Sequence, residues 1–409
     1  MINTNSFIIL ISATLMLSFI SSLVYSKTKI PDIIWLMGFG ILVGPVLGIF
    51  QKDMFLDLAP LMSTVALGVI LFDAGINVDI VTLLENMLKS AILSITSIFG
   101  AILSVGYALH YFMPESFTLL QAMLLGAMIG GTSTISVFGI LRSLENVVSD
   151  LTSTGVLLTM ESIISDPICI VSSITIIQMI MLPGVSLRAS LMNIFSIFSL
   201  SSLLGFAIGL VWANTLDRLR RRPFVYMVTL AILFPSYLTA ELIIGEGGGA
   251  MTALTFGLTI TNYKYIARRL GLESKVMIDK QRLREFHEEI TFLIKSFFFV
   301  FIGLVVSLSP YYFLIGLAIV ALIMAVRYVV VVGIGNLLLF SKAERVLSQV
   351  VYASGLPAFV MSQLPMIFDP TRTFFLNPDI YPNLCMPIVL GTVLYSAILG
   401  PLVAKRRLK

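Results

Sequence analysis

Charge is scarce in this chain. Only 12% of its 409 residues are charged and 58% are hydrophobic, and the mean hydropathy is +1.01. A soluble domain carries roughly 25% charged residues. Burial alone does not account for the deficit, because a soluble protein of this size still needs a wetted polar surface. Lipid as the surrounding solvent does account for it. No polar stretch is long enough to fold as a separate soluble domain, so residues 1–409 read as one all-α polytopic membrane domain.

Cysteine and histidine are also scarce. The 2 cysteines, Cys169 and Cys385, lie in apolar runs without metal-type spacing and read as small core residues. The 2 histidines, His110 and His287, fall near predicted helix ends, which excludes a metalloenzyme built on a histidine cluster. No nucleophile–base dyad is legible, so the chain reads as a non-enzyme without a cofactor. The net charge of +4 is no nucleic-acid signature, because the cations sit in short loops. The first apolar run lacks a basic leader and a small-residue cleavage site, and reads as a retained helix.

What the chain has is long apolar runs. A helix needs about 20 apolar residues to cross a bilayer core, and this ruler predicts about thirteen spans. They fall near 5–25, 31–50, 57–76, 88–112, 118–141, 152–182, 190–214, 223–241, 247–263, 288–308, 311–338, 345–367 and 381–404. Loop charge supports this count, since cytoplasmic loops are rich in Lys and Arg. Loops after odd-numbered spans hold Lys27, Lys29, Lys89 at a helix mouth, Arg142, Arg218, Arg220–Arg222 and a run from Lys264 to Arg284. Lys342, Arg345 and the Lys405–Lys409 tail continue the series, whereas loops after even-numbered spans hold only Lys52, Arg188 and Arg372. The expected topology has the N-terminus outside and the C-terminus in the cytoplasm, in the cell membrane.

Thirteen spans divide into two sixes of opposite orientation, near 5–182 and 223–404, joined by a linker helix near 190–214. The fifth span of each half is interrupted in mid-run, by Gly130-Gly131-Thr132-Ser133-Thr134 and by Ser354-Gly355-Leu356-Pro357. Paired interrupted spans at matching positions point to a transporter's binding site. The same small residues also suit close helix packing.

An ionised side chain at mid-bilayer costs about 2.5–3.5 kcal/mol on the mildest scale, so each one needs a partner, water or a task. Asp73 ends the third span. Glu161 and Asp166 lie deep in the sixth, and Lys295 and Arg327 in the tenth and eleventh. Ser162 and Asp166 are four apart and share a helix face. Glu161 is turned away by about 140°, which suits an ion pair with Arg327 or Lys295 on another helix. Pro167 removes a backbone donor, leaving a carbonyl one turn earlier open to a cation. A carboxylate can hold a hard monovalent cation or a proton, but not both. Competition at Asp166, with neutral oxygens from Thr132 and Ser162 and a second carboxylate from Asp73, would couple two fluxes. Glu241 and Glu246 read as interface residues.

These residues resemble a known family. Glu161-Ser-Ile-Ile-Ser-Asp-Pro167 is similar to the Glu-Ser-x-x-Asn-Asp-Pro signature of NhaP-type sodium/proton antiporters, in the cation:proton antiporter superfamily. Leu71-Phe72-Asp73-Ala74-Gly75-Ile76-Asn77 resembles that family's Leu-Phe-Glu-Gly-Gly-Leu-Asn. Gly131-Thr132-Ser133-Thr134, the run Lys295 to Gly303, and Arg327 fall where the family has its fifth-span break and the basic residues of its tenth and eleventh spans. Ser165 stands where the family has asparagine, Ser133 where it has aspartate, and the second break lacks the family's arginine.

The resemblance implies a homodimer with a moving, elevator-type core. It implies ion ligands at Asp73, Thr132, Ser162 and Asp166, and a salt bridge at Glu161. The expected function is exchange of Na⁺ or Li⁺ for H⁺, electroneutral because Asp166 is the one titrating carboxylate of the Ser165-Asp166 pair. The alternatives are K⁺/H⁺ exchange, a cation channel and an organic-solute symporter. Expected partners are these ions, membrane lipid and a second copy, with no nucleic acid.

Overall fold

The computed structural model describes residues 4–28, 32–50, 55, 58–133, 137, 140–141, 151–181, 187–219, 222, 224–245, 247–271, 276, 278–306 and 309–408. Thr134, Arg142, Glu246 and the loop cations Lys29, Lys52, Arg220, Arg221, Lys275 and Lys409 lie outside them, as do the side chains of Lys27 and Arg188. Among the described residues the regular structure is helical and no strand occurs. In lipid, a helix satisfies its backbone polar groups within one segment, which is why apolar runs of this length take that form.

In chain order the helices begin with α1 (Thr4–Thr28), α2 (Asp32–Ile41), α3 (Ala59–Asn77) and α4 (Ile80–Phe112). Then come α5 (Leu119–Ile129), α6 (Leu151–Met181), α7 (Leu187–Leu219), α8 (Val225–Ile243) and α9 (Gly248–Arg269). Next are α10 (Lys280–Val305), α11 (Pro310–Leu337) and α12 (Lys342–Val350). The last are α13 (Leu356–Ser362), α14 (Leu364–Phe368) and α15 (Ile380–Leu408). Seven of them, α1, α4, α6, α7, α8, α11 and α15, are long and apolar enough to cross a membrane.

Several boundaries differ from the sequence reading, each for a local reason. α2 stops at Ile41 and gives way to a π-turn over Leu42–Val46 around Pro45, which has no N–H to continue the ladder. α4 starts at Ile80, before its apolar run, because the Asn262 side chain accepts the Ile80 N–H at 3.1 Å. Asn262 also donates to the Val78 carbonyl at 2.9 Å, so one amide holds the α3–α4 junction against α9. α9 runs to Arg269, past the apolar segment that made it look short. α10 begins at Lys280, within a charged segment read as loop. The division at Ser309-Pro310 stands, with Pro310 in the first turn of α11, where its missing N–H costs nothing.

The chain forms two compact units. The second comprises 61–85 and 184–295 and is built on glycine contacts. A Cβ on Gly75 would strike the Leu254 carbonyl of α9, and one on Gly257 would strike the Phe72 carbonyl of α3. Gly205 and Gly209 of α7 lie equally close to Thr252, Thr255 and Thr259 of α9. Helices that gain little from hydrophobic exclusion in lipid pack through such close backbone approach. In the same unit the Glu241 carboxylate accepts the N–H of Gly247 at 2.9 Å and of Gly249 at 3.0 Å, closing the start of α9.

The first unit comprises 1–60, 86–183 and 296–409. Gly40 of α2 meets Gly303 of α10, where a Cβ on Gly40 would stand 2.9 Å from the Gly303 Cα. Its main feature is a crossing of two interrupted helices. α5 ends at Ile129 and the chain runs on through Gly131 to Ser133 without helix. α12 ends at Val350 and residues 351–355 are non-helical before α13 begins. The Ser133 N–H donates to the Ala353 carbonyl at 2.7 Å, joining the two gaps. The Ser354 hydroxyl donates to the Ile129 carbonyl at 2.9 Å and the Tyr352 hydroxyl to the Gly130 carbonyl at 2.7 Å. From α15, Ser396 Oγ accepts the Tyr352 N–H at 3.0 Å and Thr392 Oγ1 the Ser354 N–H at 3.1 Å. The backbone groups released by the gaps are thus taken up by hydroxyls.

Between α14 and α15 the Asp369 carboxylate accepts the N–H groups of Thr373 at 3.0 Å, Phe374 at 2.7 Å and Phe375 at 2.8 Å, and the Thr371 hydroxyl at 3.1 Å. Burial alone would raise this carboxyl, but the Phe375, Thr373 and Phe374 N–H groups and the Thr371 hydroxyl outweigh it and hold it below the usual carboxylate range.

Two outcomes follow for stability. Gly355→Ala places a Cβ 2.5 Å from the Ser133 Cβ, and overpacking of this kind costs about 1–3 kcal/mol. Thermal unfolding in detergent should show the loss, and Ser133→Gly added to Gly355→Ala should restore most of it. Asp369→Asn should lower stability near neutral pH by about 1–3 kcal/mol. Because the folded carboxyl titrates below the unfolded one, its contribution is present above the ordinary carboxylate range and fades as pH falls through the lowered value. Melting curves of the two proteins should therefore converge on acidification.

Candidate functional site

The gap after α5 meets α6 in the first unit. The Thr132 N–H donates to Ser165 Oγ at 3.1 Å, and the Ser165 hydroxyl donates to the Ser162 carbonyl at 3.0 Å. Ser165 therefore ties the interrupted strand of chain to the helix that carries Asp166. The Ser162 hydroxyl donates back to the Thr159 carbonyl at 2.8 Å. α6 continues through Pro167 without a break, so the expected loosening there is confined to one missing N–H, opposite the Ile163 carbonyl.

Asp166 itself is half-buried and makes no hydrogen bond or ion pair among the described residues. Its Oδ1 stands 3.5 Å from the point a Cβ of Gly131 would occupy. Ser165 Oγ is 3.5 Å and Cys169 Sγ 3.2 Å from that same point. The glycine thus brings the backbone of the gap against the carboxylate, where any side chain would press on it. Thr132 is 2% exposed, and its Oγ1 has no hydrogen-bond partner among the described residues. Leaving a buried hydroxyl unmatched costs about 1–3 kcal/mol. Carboxylate, hydroxyl and unpaired carbonyl oxygens are the donors that hard cations take.

Glu161 is the opposite case. It is 2% exposed and fully paired, its Oε1 with Arg327 Nη1 and its Oε2 with Arg327 Nη2 at 2.8 Å. Arg327, 1% exposed, also donates to Ser97 Oγ at 2.6 Å and to the Ser348 carbonyl at 2.7 Å, and lies 5.2 Å from the Tyr352 ring centroid. Of the two bases that the sequence offered Glu161, the structure selects Arg327. The pair links α6 to α11, and through Ser348 and Tyr352 to the gap after α12.

Asp73 and Lys295 lie together in the second unit. The Lys295 and Glu288 charges act on the Asp73 carboxylate, and Asn77 Nδ2 donates to Asp73 Oδ1 at 3.3 Å. Thr132, Ser162, Ser165 and Asp166 are thus gathered in one unit, and Asp73 with Lys295 in the other. Sequence reasoning missed Tyr352, Ser97, Thr392 and Ser396. Tyr352 carried a usable signal, since a phenol in an apolar run needs a hydrogen-bond partner. The serines and threonine carried none, because such residues are common along these helices.

Glu161→Gln or Arg327→Met should each cost about 3–5 kcal/mol, the expense of stranding one member of a buried pair. The double variant should cost less than the sum of the two. A double-mutant cycle on thermal unfolding checks this.

Residues 13–407 match the family described as sodium/hydrogen exchanger, transmembrane. The Na(+)/H(+) antiporter ApNhaP of Aphanothece halophytica is 27% identical over 347 residues, which cover 82% of this chain. The chain spans 61% of the length of that curated relative. Two structures of the sodium proton antiporter MjNhaP1 of Methanocaldococcus jannaschii share the fold. One, at pH 8, has a TM-score of 0.82 at 19% identity and covers 97% of both chains. The other, from an electron-microscopy map, has a TM-score of 0.70 at 19% identity, covering 99% of this chain and 98% of that one. With a family match over nearly its whole length and a bundle of apolar helices to go with it, the chain is an integral membrane protein and belongs to the sodium/hydrogen exchanger family.

Proposed function

We propose that this chain is a secondary active antiporter that exchanges Na⁺ or Li⁺ for H⁺. The observation that carries the reading is the Asp166 carboxylate, half-buried and unpaired among the described residues, beside an interrupted helix with the open Thr132 hydroxyl. A structural carboxylate in an apolar bundle is neutralised by a base, as Glu161 is by Arg327. Among the described residues Asp166 has no base, so its charge is balanced by what it binds. A sodium ion and a proton both serve, one at a time. Thr132 and Ser162 supply neutral oxygens, the Ile163 carbonyl opposite Pro167 another, and Ser165 positions the gap. Family membership and the names of the relatives support Na⁺ and H⁺ as the exchanged ions.

The finer reading extends this. Asp166 carries one cation inward or outward and returns protonated, so the cycle is one-for-one and electroneutral. Elevator-type movement of the site-bearing helices gives alternating access. The chain acts in the cell membrane as a homodimer with its C-terminus in the cytoplasm.

Proteoliposomes holding a pH-sensitive dye test the exchange, with Na⁺, Li⁺ and K⁺ added in turn. Na⁺ or Li⁺ should collapse a preformed proton gradient. Asp166→Asn should abolish the response, and Thr132→Val should raise the half-saturating cation concentration at least about tenfold, the cost of a lost oxygen ligand. A potential-sensitive dye in the same vesicles should register no charge movement. Proton gradients indifferent to every cation would overturn the proposal.

A further inference from the structure

Two side chains of the second gap cover oxygens at the first. A helix leaves its last carbonyls without intrahelical partners, and those of α5 lie at the interruption. The Tyr352 hydroxyl donates to the Gly130 carbonyl at 2.7 Å, and the Ser354 hydroxyl to the Ile129 carbonyl at 2.9 Å. Both donors are fully buried. The Gly130 carbonyl is part of the peptide that adjoins Gly131, and the Ile129 carbonyl part of the one before it. The Gly131 backbone in turn lies against the carboxylate, where a Cβ on it would stand 3.5 Å from Asp166 Oδ1. Carbonyls at a helix C-terminus carry partial negative charge, so these oxygens have the chemistry of cation ligands.

We propose that Tyr352 and Ser354 determine ion specificity, favouring Na⁺ and Li⁺ over K⁺ by keeping the carbonyl oxygens at the broken end of α5 engaged. This role presupposes cation binding at Asp166 in exchange for protons, the function proposed for the chain. Selection among alkali ions turns on the number and field strength of the oxygens presented. A carboxylate is a strong-field ligand and suits small ions of high charge density. Several carbonyls together form a weaker field that suits K⁺. With Gly130 and Ile129 occupied, a cation at Asp166 meets the carboxylate and few neutral oxygens. The other hydroxyls of the crossing do something different. Ser396 Oγ and Thr392 Oγ1 accept backbone N–H groups at 3.0 Å and 3.1 Å. An N–H cannot ligate a cation, so engaging it serves the backbone alone, whereas engaging a carbonyl also withholds a ligand. The Tyr352 ring contact with Arg327, at 5.2 Å, does not involve the phenol oxygen, so Tyr352→Phe removes the donor and keeps that contact.

The test compares Tyr352→Phe and Ser354→Ala with Ser396→Ala, all in the full chain. Half-saturating concentrations of Na⁺ and K⁺ are read from cation-driven proton movement in proteoliposomes, and dissociation constants from titration calorimetry in detergent. The unaltered protein should require more K⁺ than Na⁺. Tyr352→Phe should lower that K⁺-to-Na⁺ ratio at least about tenfold, the effect of one added oxygen ligand, and Ser354→Ala should lower it in the same direction. Ser396→Ala frees an N–H in the same gap, so it should lower the melting temperature and leave the ratio unchanged. A ratio unmoved by Tyr352→Phe overturns the role. A ratio moved as far by Ser396→Ala does so too, since loosening of the crossing would then explain it, and so does an unaltered protein that takes K⁺ as readily as Na⁺. If Tyr352→Phe does not fold, Ser354→Ala against Ser396→Ala decides in its place. Binding whose ratio falls in Tyr352→Phe while no cation ever moves protons would sink the exchange reading and leave the role standing. Proton movement driven by Na⁺ with one ratio in every variant would do the reverse.

Discussion

A helix interrupted inside a membrane releases backbone N–H and C=O groups where no water can take them. The first unit is organised around that constraint. Its two gaps are laid against each other, so that Ser133 donates to Ala353 and each gap answers part of the other's deficit. The remainder falls to hydroxyls of Ser354, Tyr352, Thr392 and Ser396. Gly355 permits the approach, because a Cβ there would meet Ser133. Once the gaps are satisfied in this way, non-helical backbone can persist beside Asp166, and that is what gives the site its small, oxygen-rich surroundings.

The charges of this unit divide by how they are balanced. Glu161 and Arg327 are buried together, and the guanidinium spends its remaining donors on Ser97 and the Ser348 carbonyl. A pair this completely satisfied is a structural joint between α6, α4, α11 and the segment entering the second gap. Asp166, one and a half turns further along the same helix, has no such balance among the described residues. Two carboxylates five residues apart thus face different surroundings, because the helix turns them to different sides. The division between a paired charge and one that is unpaired among the described residues follows from that rotation.

Much of this was legible in advance. The apolar runs, the Ser309-Pro310 division and the two interruptions at Gly130-Gly131 and Ser354-Gly355 appear as helices and gaps where composition put them. Glu161 was expected to pair with a base on another helix. The misjudged boundaries share a cause: apolar length measures the part of a helix that sits in lipid, not the whole helix. α4 begins at Ile80 because a side chain distant in sequence caps it, and α9 and α10 carry polar turns that an apolar ruler cannot count.

The sequence by itself determined that this is a helical membrane protein, which runs form helices, where two of them are interrupted and which charges require an explanation. These properties are local, set by composition, by glycine and proline, and by helical periodicity. Tertiary structure alone decided that Arg327 rather than Lys295 neutralises Glu161, that Lys295 stands with Asp73, and that Ser165 fastens Thr132. Each of those is a meeting of residues from distant parts of the chain or from facing helix surfaces. Their distances depend on how helices cross, and close glycine contacts set those crossings to within a side chain's width.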